Sequence, residues 1–192
     1  MAKPTTRDRL VGATAELFRV SGYHATSVKA IVERAEAPFG SMYHHFPGGK
    51  EELGAAAITT SGLAYGDLID LFFGDDVTDL VEATNAFFAG AAWTLTESDY
   101  ADACPIATVA LEVASTNEDL RRATSTVFDD WITRASARFV QHGIAPDQAP
   151  RLARGLIMLL EGAFLLCRAG RTTEPMADAQ AVAVAEVSRL LA

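Results

Sequence analysis

Two cysteines in 192 residues, at positions 104 and 167, are too few for a disulfide framework or a structural zinc site. Long apolar runs are also missing. The longest, Leu156 to Cys167, is interrupted by Glu161 and falls short of the roughly 18 residues a membrane span needs. The first residues carry Lys3, Arg7, Asp8 and Arg9 without an apolar stretch, so no signal peptide is expected. No alternation of Val, Ile and Thr is long enough for a strand, and there is no repeat or low-complexity tract. Nucleophile elbows, Gly-rich phosphate loops and metal-ligand spacings are absent too, which argues against an enzyme and gives no reason to expect a metal or cofactor. What is present is a globular composition, 49% hydrophobic and 21% charged, with 35 alanines. Alanine, with plentiful Leu, Glu and Arg, favours helix over sheet. The expectation is an all-α, cytoplasmic protein that does not enter a membrane.

The net charge of −9, taken alone, speaks against a nucleic-acid partner. That charge is unevenly placed. Residues 1–53 hold seven Lys/Arg against six Asp/Glu, whereas residues 54–192 hold nine against nineteen. All three lysines (Lys3, Lys29, Lys50) and three of the four histidines (His24, His44, His45) lie in the first segment. Such asymmetry suggests a small head and an acidic body with different tasks.

The head reads as three helices. Thr5 with Asp8 forms a capping-box signal, Leu10, Ala13, Leu17 and Phe18 recur at helical spacing, and Gly22 is expected to stop the helix. Thr26 or Ser27 caps a second helix with Val28, Ile31, Val32 and Ala35 on one face. After a short turn, Pro38 suits the first turn of a third helix, Phe39 to His44, which ends near Phe46-Pro47-Gly48-Gly49. Two short helices joined tightly behind a supporting one make a helix-turn-helix. Beyond it, helices are expected over 51–73, 79–96, 105–114, 120–141, 152–169 and 177–191, about nine in all. The predicted division is a head of residues 1–49 and a body of residues 50–192.

The residues Ala15-Glu16-Leu17-Phe18, Gly22-Tyr23, Thr26-Ser27-Val28, Ile31, Ala35 and Gly40-Ser41-Met42-Tyr43-His44-His45-Phe46, followed by Lys50-Glu51-Glu52-Leu53, resemble the DNA-binding head of the TetR family. The body resembles the LmrA/YxaF-like branch through Phe46-Pro47-Gly48-Gly49-Lys50, Cys104-Pro105-Ile106-Ala107, Leu111-Glu112, and Glu161-Gly162-Ala163 through Glu174-Pro175. The resemblance implies a dimeric, ligand-responsive transcriptional repressor with no enzymatic activity.

The candidate DNA contacts are Thr26, Ser27, Lys29, Phe39, Gly40, Ser41, Tyr43, His44, His45 and Lys50. Thr26 and Ser27 open a helix whose free N–H groups can face a phosphate, besides capping it. Gly40 and Ser41 let the third helix sit close to base edges, and Tyr43, His44 and Lys50 offer donors to phosphate oxygens. Phe46 reads as a core anchor and His24 as an ordinary surface residue. Two residues depart from the family pattern. Glu36 replaces the usual Gly of the turn, and a left-handed conformation there would cost about 1–2 kcal/mol. Phe39 stands where a Lys or polar residue is common; it either touches a thymine methyl or packs on a DNA sugar. A dimer would place two such helices in successive major grooves of an imperfect palindrome.

In the body, Phe87, Phe88, Trp93, Phe128, Trp131 and Phe164 fall on expected inner faces, where ordinary core is the default. The resemblance implies a cavity, so some of them are candidates to line a pocket for a small apolar or aromatic inducer. Cys104 and Glu112 are candidate polar wall groups. Glu112 equally suits a pair with Arg121, Arg122 or Arg138, and nothing near Cys104 supports a redox role. Residues 152–169 and 177–191 are expected to form a four-helix, two-fold dimer interface, with Gly155 and Gly162 allowing close approach and Arg154 and Arg168 placing charge at the ends. Competing readings are a DNA-binding adaptor that needs no ligand, and an enzyme built on Cys104 and His142.

Overall fold

The computed structural model describes residues 3–192; the first two residues of the 1–49 head lie outside that range. Among the described residues nine helices follow one another with no strand. They are α1 (Thr6–Ala25), α2 (Val28–Arg34), α3 (Phe39–His45), α4 (Gly49–Phe73), α5 (Leu80–Glu97), α6 (Pro105–Val113), α7 (Glu118–Gln141), α8 (Ala149–Gly170) and α9 (Glu174–Leu191). None is long and apolar enough to cross a membrane.

Local chemistry sets the ends. Thr5 and Asp8 form the expected capping box on α1, each accepting a backbone N–H of the other. The Asp79 carboxylate accepts from the N–H groups of Val81 and Glu82 and starts α5. Four starts lie earlier than periodicity places them, α4 by two residues at Gly49. Helix α7 begins at Glu118 because Asn117 Oδ1 accepts from the Leu120 N–H. Helices α8 and α9 begin at Ala149 and Glu174 because Pro150 and Pro175 fit a first turn, where no N–H is needed. Pro38, by contrast, is the cap residue of α3 and not part of its first turn. Gly22 does not end α1. It takes φ 75° and kinks the helix, which continues for one more turn to Ala25.

The described residues fall into two units, one formed by the chain up to Leu63 with Cys104–Val127, the other by Ala64–Ala103 with Phe128–Ala192. In the first, α1, α2 and α3 close over Leu10, Val11, Ile31, Val32, Met42, Phe46 and Leu53, and α6 lies along α1. Phe46 is thus the core anchor its sequence context suggests. Gly62 lets α4 meet α7, since a Cβ there would come 2.5 Å from Val127. In the second unit α5, α8 and α9 pack on one another. There Phe73, fully buried, meets Phe139 edge-on at 5.2 Å. Arg134 and Arg138 of α7 pair with Asp70 of α4, and Arg138 also with Asp75.

The turn between α2 and α3 confirms one expectation. Glu36 has φ 49°, and the Arg9 guanidinium donates to the carbonyls of Ala35 (3.0 Å) and Glu36 (3.5 Å). A β-carbon in that conformation is strained. Glu36→Gly is therefore expected to raise stability by about 0.5–1 kcal/mol, after allowing for glycine's extra unfolded-state freedom. Urea unfolding at fixed protein concentration reads this, and an unchanged or lower midpoint would refute the strain.

Arg121 and Arg122 both donate to Glu118, which lowers its carboxyl pKa to about 2. A depressed carboxyl pKa contributes stability above the ordinary carboxylate range and loses it as pH falls toward 2. Carboxyl-carbon NMR should place the Glu118 midpoint at least one pH unit below that of an unperturbed Glu (about 4.3).

Candidate functional site

The helix-turn-helix presents α3 outward. Phe39 and Tyr43 are about half exposed (54% and 50%), and Gly40 and His44 are exposed beside them. Their spacing of one helical turn brings the Phe39 and Tyr43 rings to 6.0 Å, tilted by 54°. The Ser41 hydroxyl donates to the Pro38 carbonyl at 2.6 Å. His45 is half-buried, its ring 5.1 Å from that of His44. On α2, the Ser27 side chain accepts from the Ala30 N–H, and exposed Lys29 lies 3.8 Å from Glu33.

Two expected DNA contacts point elsewhere. Thr26 is 2% exposed, and its hydroxyl donates to the Gly22 carbonyl at 2.6 Å; it holds the end of α1 and offers nothing to a phosphate. Lys50 is turned inward. Its ammonium donates to the Tyr23 carbonyl at 2.6 Å and sits 4.1 Å from the centre of the Tyr23 ring. Burial lowers its pKa below the ordinary lysine value, and the Glu112 carboxylate pulls it partly back.

Glu112 is the centre of this arrangement, and its observed partners are not the arginines that the sequence suggests. Its Oε2 accepts the His24 backbone N–H at 2.7 Å, and a Cβ built on Gly22 would come 1.8 Å from its Oε1. It does not pair with Arg121, Arg122 or Arg138, which are held by Glu118, Asp70 and Asp75. The carboxylate of α6 fills the place of the side chain that Gly22 lacks. Nothing in the local sequence around Glu112 announces a partner 88 residues away; Gly22-Tyr23 marks only the turn. Cys104 is buried and caps α6 by accepting from the Ala107 N–H at 3.4 Å. His142 has a ring nitrogen 3.1 Å from the Phe73 carbonyl.

The aromatic residues of the second unit form two clusters. Phe87 lies 5.5, 5.4 and 5.7 Å from Phe72, Phe73 and Phe88, and Phe88 is fully buried. Trp131, also buried, packs on Phe128 (5.5 Å) and Tyr65 (6.0 Å). Phe164 is half-buried. Trp93 does not belong inside: it is 64% exposed. Five residues beyond Phe88, it lies roughly 140° around α5 from the buried face of Leu80, Thr84, Phe88 and Leu95. Tyr65, Phe72 and Phe73 of α4 were missed, although their i, i+7, i+8 spacing is an inner-face signal. A groove of about 320 Å³ at the start of α5, touching Leu71, Phe72, Val77 and Glu82, is open to solvent.

Comparison with known proteins bears on both ends of the chain. Residues 10–57 match the family described as bacterial regulatory proteins, tetR family. Residues 81–182 match that described as transcriptional regulator LmrA/YxaF-like, C-terminal domain. The chain is 31% identical to the HTH-type transcriptional regulator YxaF of Bacillus subtilis, over 89% of each chain. It is 25% identical to the regulator LmrA of the same organism, over 92% of this chain and 93% of the other. In fold it is similar to a regulatory protein TetR from Rhodobacter sphaeroides, with a TM-score of 0.83 and 23% identity over 93% and 97% of the two chains.

The Gly22–Glu112 fit is testable by a double-mutant cycle. Gly22→Ala should cost at least about 2 kcal/mol, combining left-handed strain with displacement of the carboxylate. In a Glu112→Ala background the same change should cost only about 1–2 kcal/mol, the strain alone. Urea unfolding of the four proteins decides it; equal costs in both backgrounds would show that the carboxylate does not occupy the Gly22 notch.

Proposed function

The chain belongs to the TetR family of transcriptional regulators, with an LmrA/YxaF-like C-terminal domain, and from that premise we propose that it is a dimeric repressor released from a palindromic operator by a small apolar or aromatic inducer. A DNA-binding regulator of this family is not an enzyme. In the proposed division of labour, residues 1–49 hold DNA and residues 50–192 hold the inducer and the partner subunit, acting in the cytoplasm. The observation that carries the reading is the outward face of α3, where Phe39, Gly40, Tyr43 and His44 stand exposed on a short helix whose other side, Met42, is fully buried. Tyr43 and His44 supply donors to phosphate oxygens, Ser27 and Lys29 flank them from α2, and Gly40 and Ser41 allow close approach to base edges.

Dimerisation is supported by α8 and α9. Met158, Leu165 and Leu166 on α8 and Val182 on α9 are more than half exposed in the single chain, the kind of apolar exposure that interaction surfaces carry. Nothing lies within 4 Å of a Cβ built on Gly155 or Gly162, so a second helix has room there. Arg168, toward one end of that helix, also donates to the Tyr100 and Ala101 carbonyls. The inducer site is proposed at the Phe87–Phe88 and Phe128–Trp131 clusters, with Phe164. Release of a regulator from 99% to 1% bound needs about 10⁴-fold preference for the form that does not hold DNA, about 5.5 kcal/mol.

The direct test is selection of an operator from random duplexes by the full-length chain, followed by binding measured against salt. Tyr43→Ala and His44→Ala should weaken binding to every sequence and flatten the salt dependence. Met158→Glu with Leu165→Glu should convert the dimer to a monomer by light scattering and abolish operator binding. A wild-type monomer at micromolar concentration, or no preference among duplexes, would overturn the reading.

A further inference from the structure

The first turn of α3 carries no cation. Its residues are Phe39, Gly40, Ser41 and Met42, and Met42 is fully buried. The Ser41 hydroxyl is directed to the Pro38 carbonyl, and Gly40 has no side chain. The turn leading into α3 adds the exposed carboxylate of Glu36. The nearby basic side chains of the head are engaged: Arg9 with the carbonyls of Ala35 and Glu36, Arg34 with Glu16 at 2.6 Å, and Lys29 with Glu33. What this surface offers DNA is a phenyl ring, 54% exposed, steadied on one side by Tyr43 at 6.0 Å.

A large apolar side chain left in water on a helix-turn-helix calls for an apolar target. On the base edges of the major groove that target is the 5-methyl group of thymine, the one apolar group in the donor and acceptor pattern. Gly40 adds no bulk beside Phe39, so the ring can be carried to the groove floor without a neighbouring side chain holding it off. The alternative partner, a deoxyribose, is the same at every base pair and would make the ring blind to sequence.

Resting on the DNA-binding role of α3 proposed above, we infer that Phe39 is a specificity-determining residue, its ring packing on a thymine 5-methyl group in each operator half-site with Tyr43 as its support. A cationic residue at this position would add affinity for any duplex. Phe39 instead makes binding depend on the methyl.

The test uses the operator selected by the full-length protein. Each thymine is replaced in turn by deoxyuridine, which removes the methyl and keeps the base pair, and affinities of wild type, Phe39→Ala and Phe39→Leu are measured. One thymine per half-site should emerge at which methyl loss weakens wild type about fivefold or more. Phe39→Ala, weaker from the outset, should change less than about twofold at that same position, and Phe39→Leu should fall between. Thermal unfolding of the three proteins should coincide, since the ring is exposed. If no thymine methyl matters to wild type, or if Phe39→Ala remains as sensitive as wild type, the assignment of Phe39 is overturned while DNA binding by α3 stands. If no operator can be selected at all, both readings fall together.

Discussion

The meeting of Gly22, Glu112 and Lys50 is the contact on which the first unit most depends. It is a chain of compensations. Gly22 adopts a left-handed φ that only glycine takes without cost, and this breaks the end of α1 away from helical geometry. At the break Glu112 accepts from the His24 N–H and the Thr26 hydroxyl donates to the Gly22 carbonyl, while the Tyr23 carbonyl takes both the Thr26 backbone N–H and the Lys50 ammonium. Glu112 comes from α6 and Lys50 from the first turn of α4. One kinked turn therefore fixes three helices, and two of the groups doing so are charged and mutually attractive. Charge-assisted bonds of this kind are stronger than neutral ones and more exacting in geometry.

The second unit is held differently. Its helices meet through aromatic edges and a short ion network, in which α4 supplies Phe72, Phe73, Asp67 and Asp70 and α7 supplies Phe139, Asp130, Arg134 and Arg138. Arg134 reaches three carboxylates and Arg138 two, so neither half-buried guanidinium depends on a single partner. Such pairing avoids the large penalty of a buried unpaired charge. The aromatic clusters beside this network include both tightly enclosed rings, such as Phe88 and Phe139, and rings with an accessible side, such as Phe87 and Phe128. A site for an apolar molecule is expected where the second kind predominates, since enclosed rings have neighbours on every side.

The legibility of these features in the sequence follows the range of the interactions. The nine helices were readable within about three residues because periodicity, caps and Pro or Gly breaks are local signals. The left-handed turn at Glu36 and the core role of Phe46 were readable for the same reason. Thr26, Lys50 and Glu112 were not, because a threonine at a helix start, a lysine at another and a glutamate in a third carry no mark of the partner that claims them. Trp93 failed on register: aromatic character says that a residue prefers burial, but the helix angle decides whether it is buried. The capping role of Cys104 was not legible because a thiol is a weak acceptor, rarely first choice as a cap, yet it stands where the helix requires one.

These internal claims on basic side chains change the meaning of the head's near-neutral charge. Of the seven Lys and Arg residues in positions 1–53, Arg9, Lys29, Arg34 and Lys50 have carboxylate or carbonyl partners within that same segment. Non-specific affinity for duplex DNA grows with the number of phosphates neutralised, so this head has little of it to draw on. A regulator must nonetheless find one site among a great excess of others, and the quantity that matters is the ratio of specific to non-specific affinity. Lowering the electrostatic contribution reduces both terms, whereas an apolar contact with a base edge raises only the first. A head whose cations are largely engaged but which carries an exposed aromatic pair on α3 therefore has little electrostatic pull on duplex DNA, and an apolar contact made by that face would weigh on the specific side of the ratio.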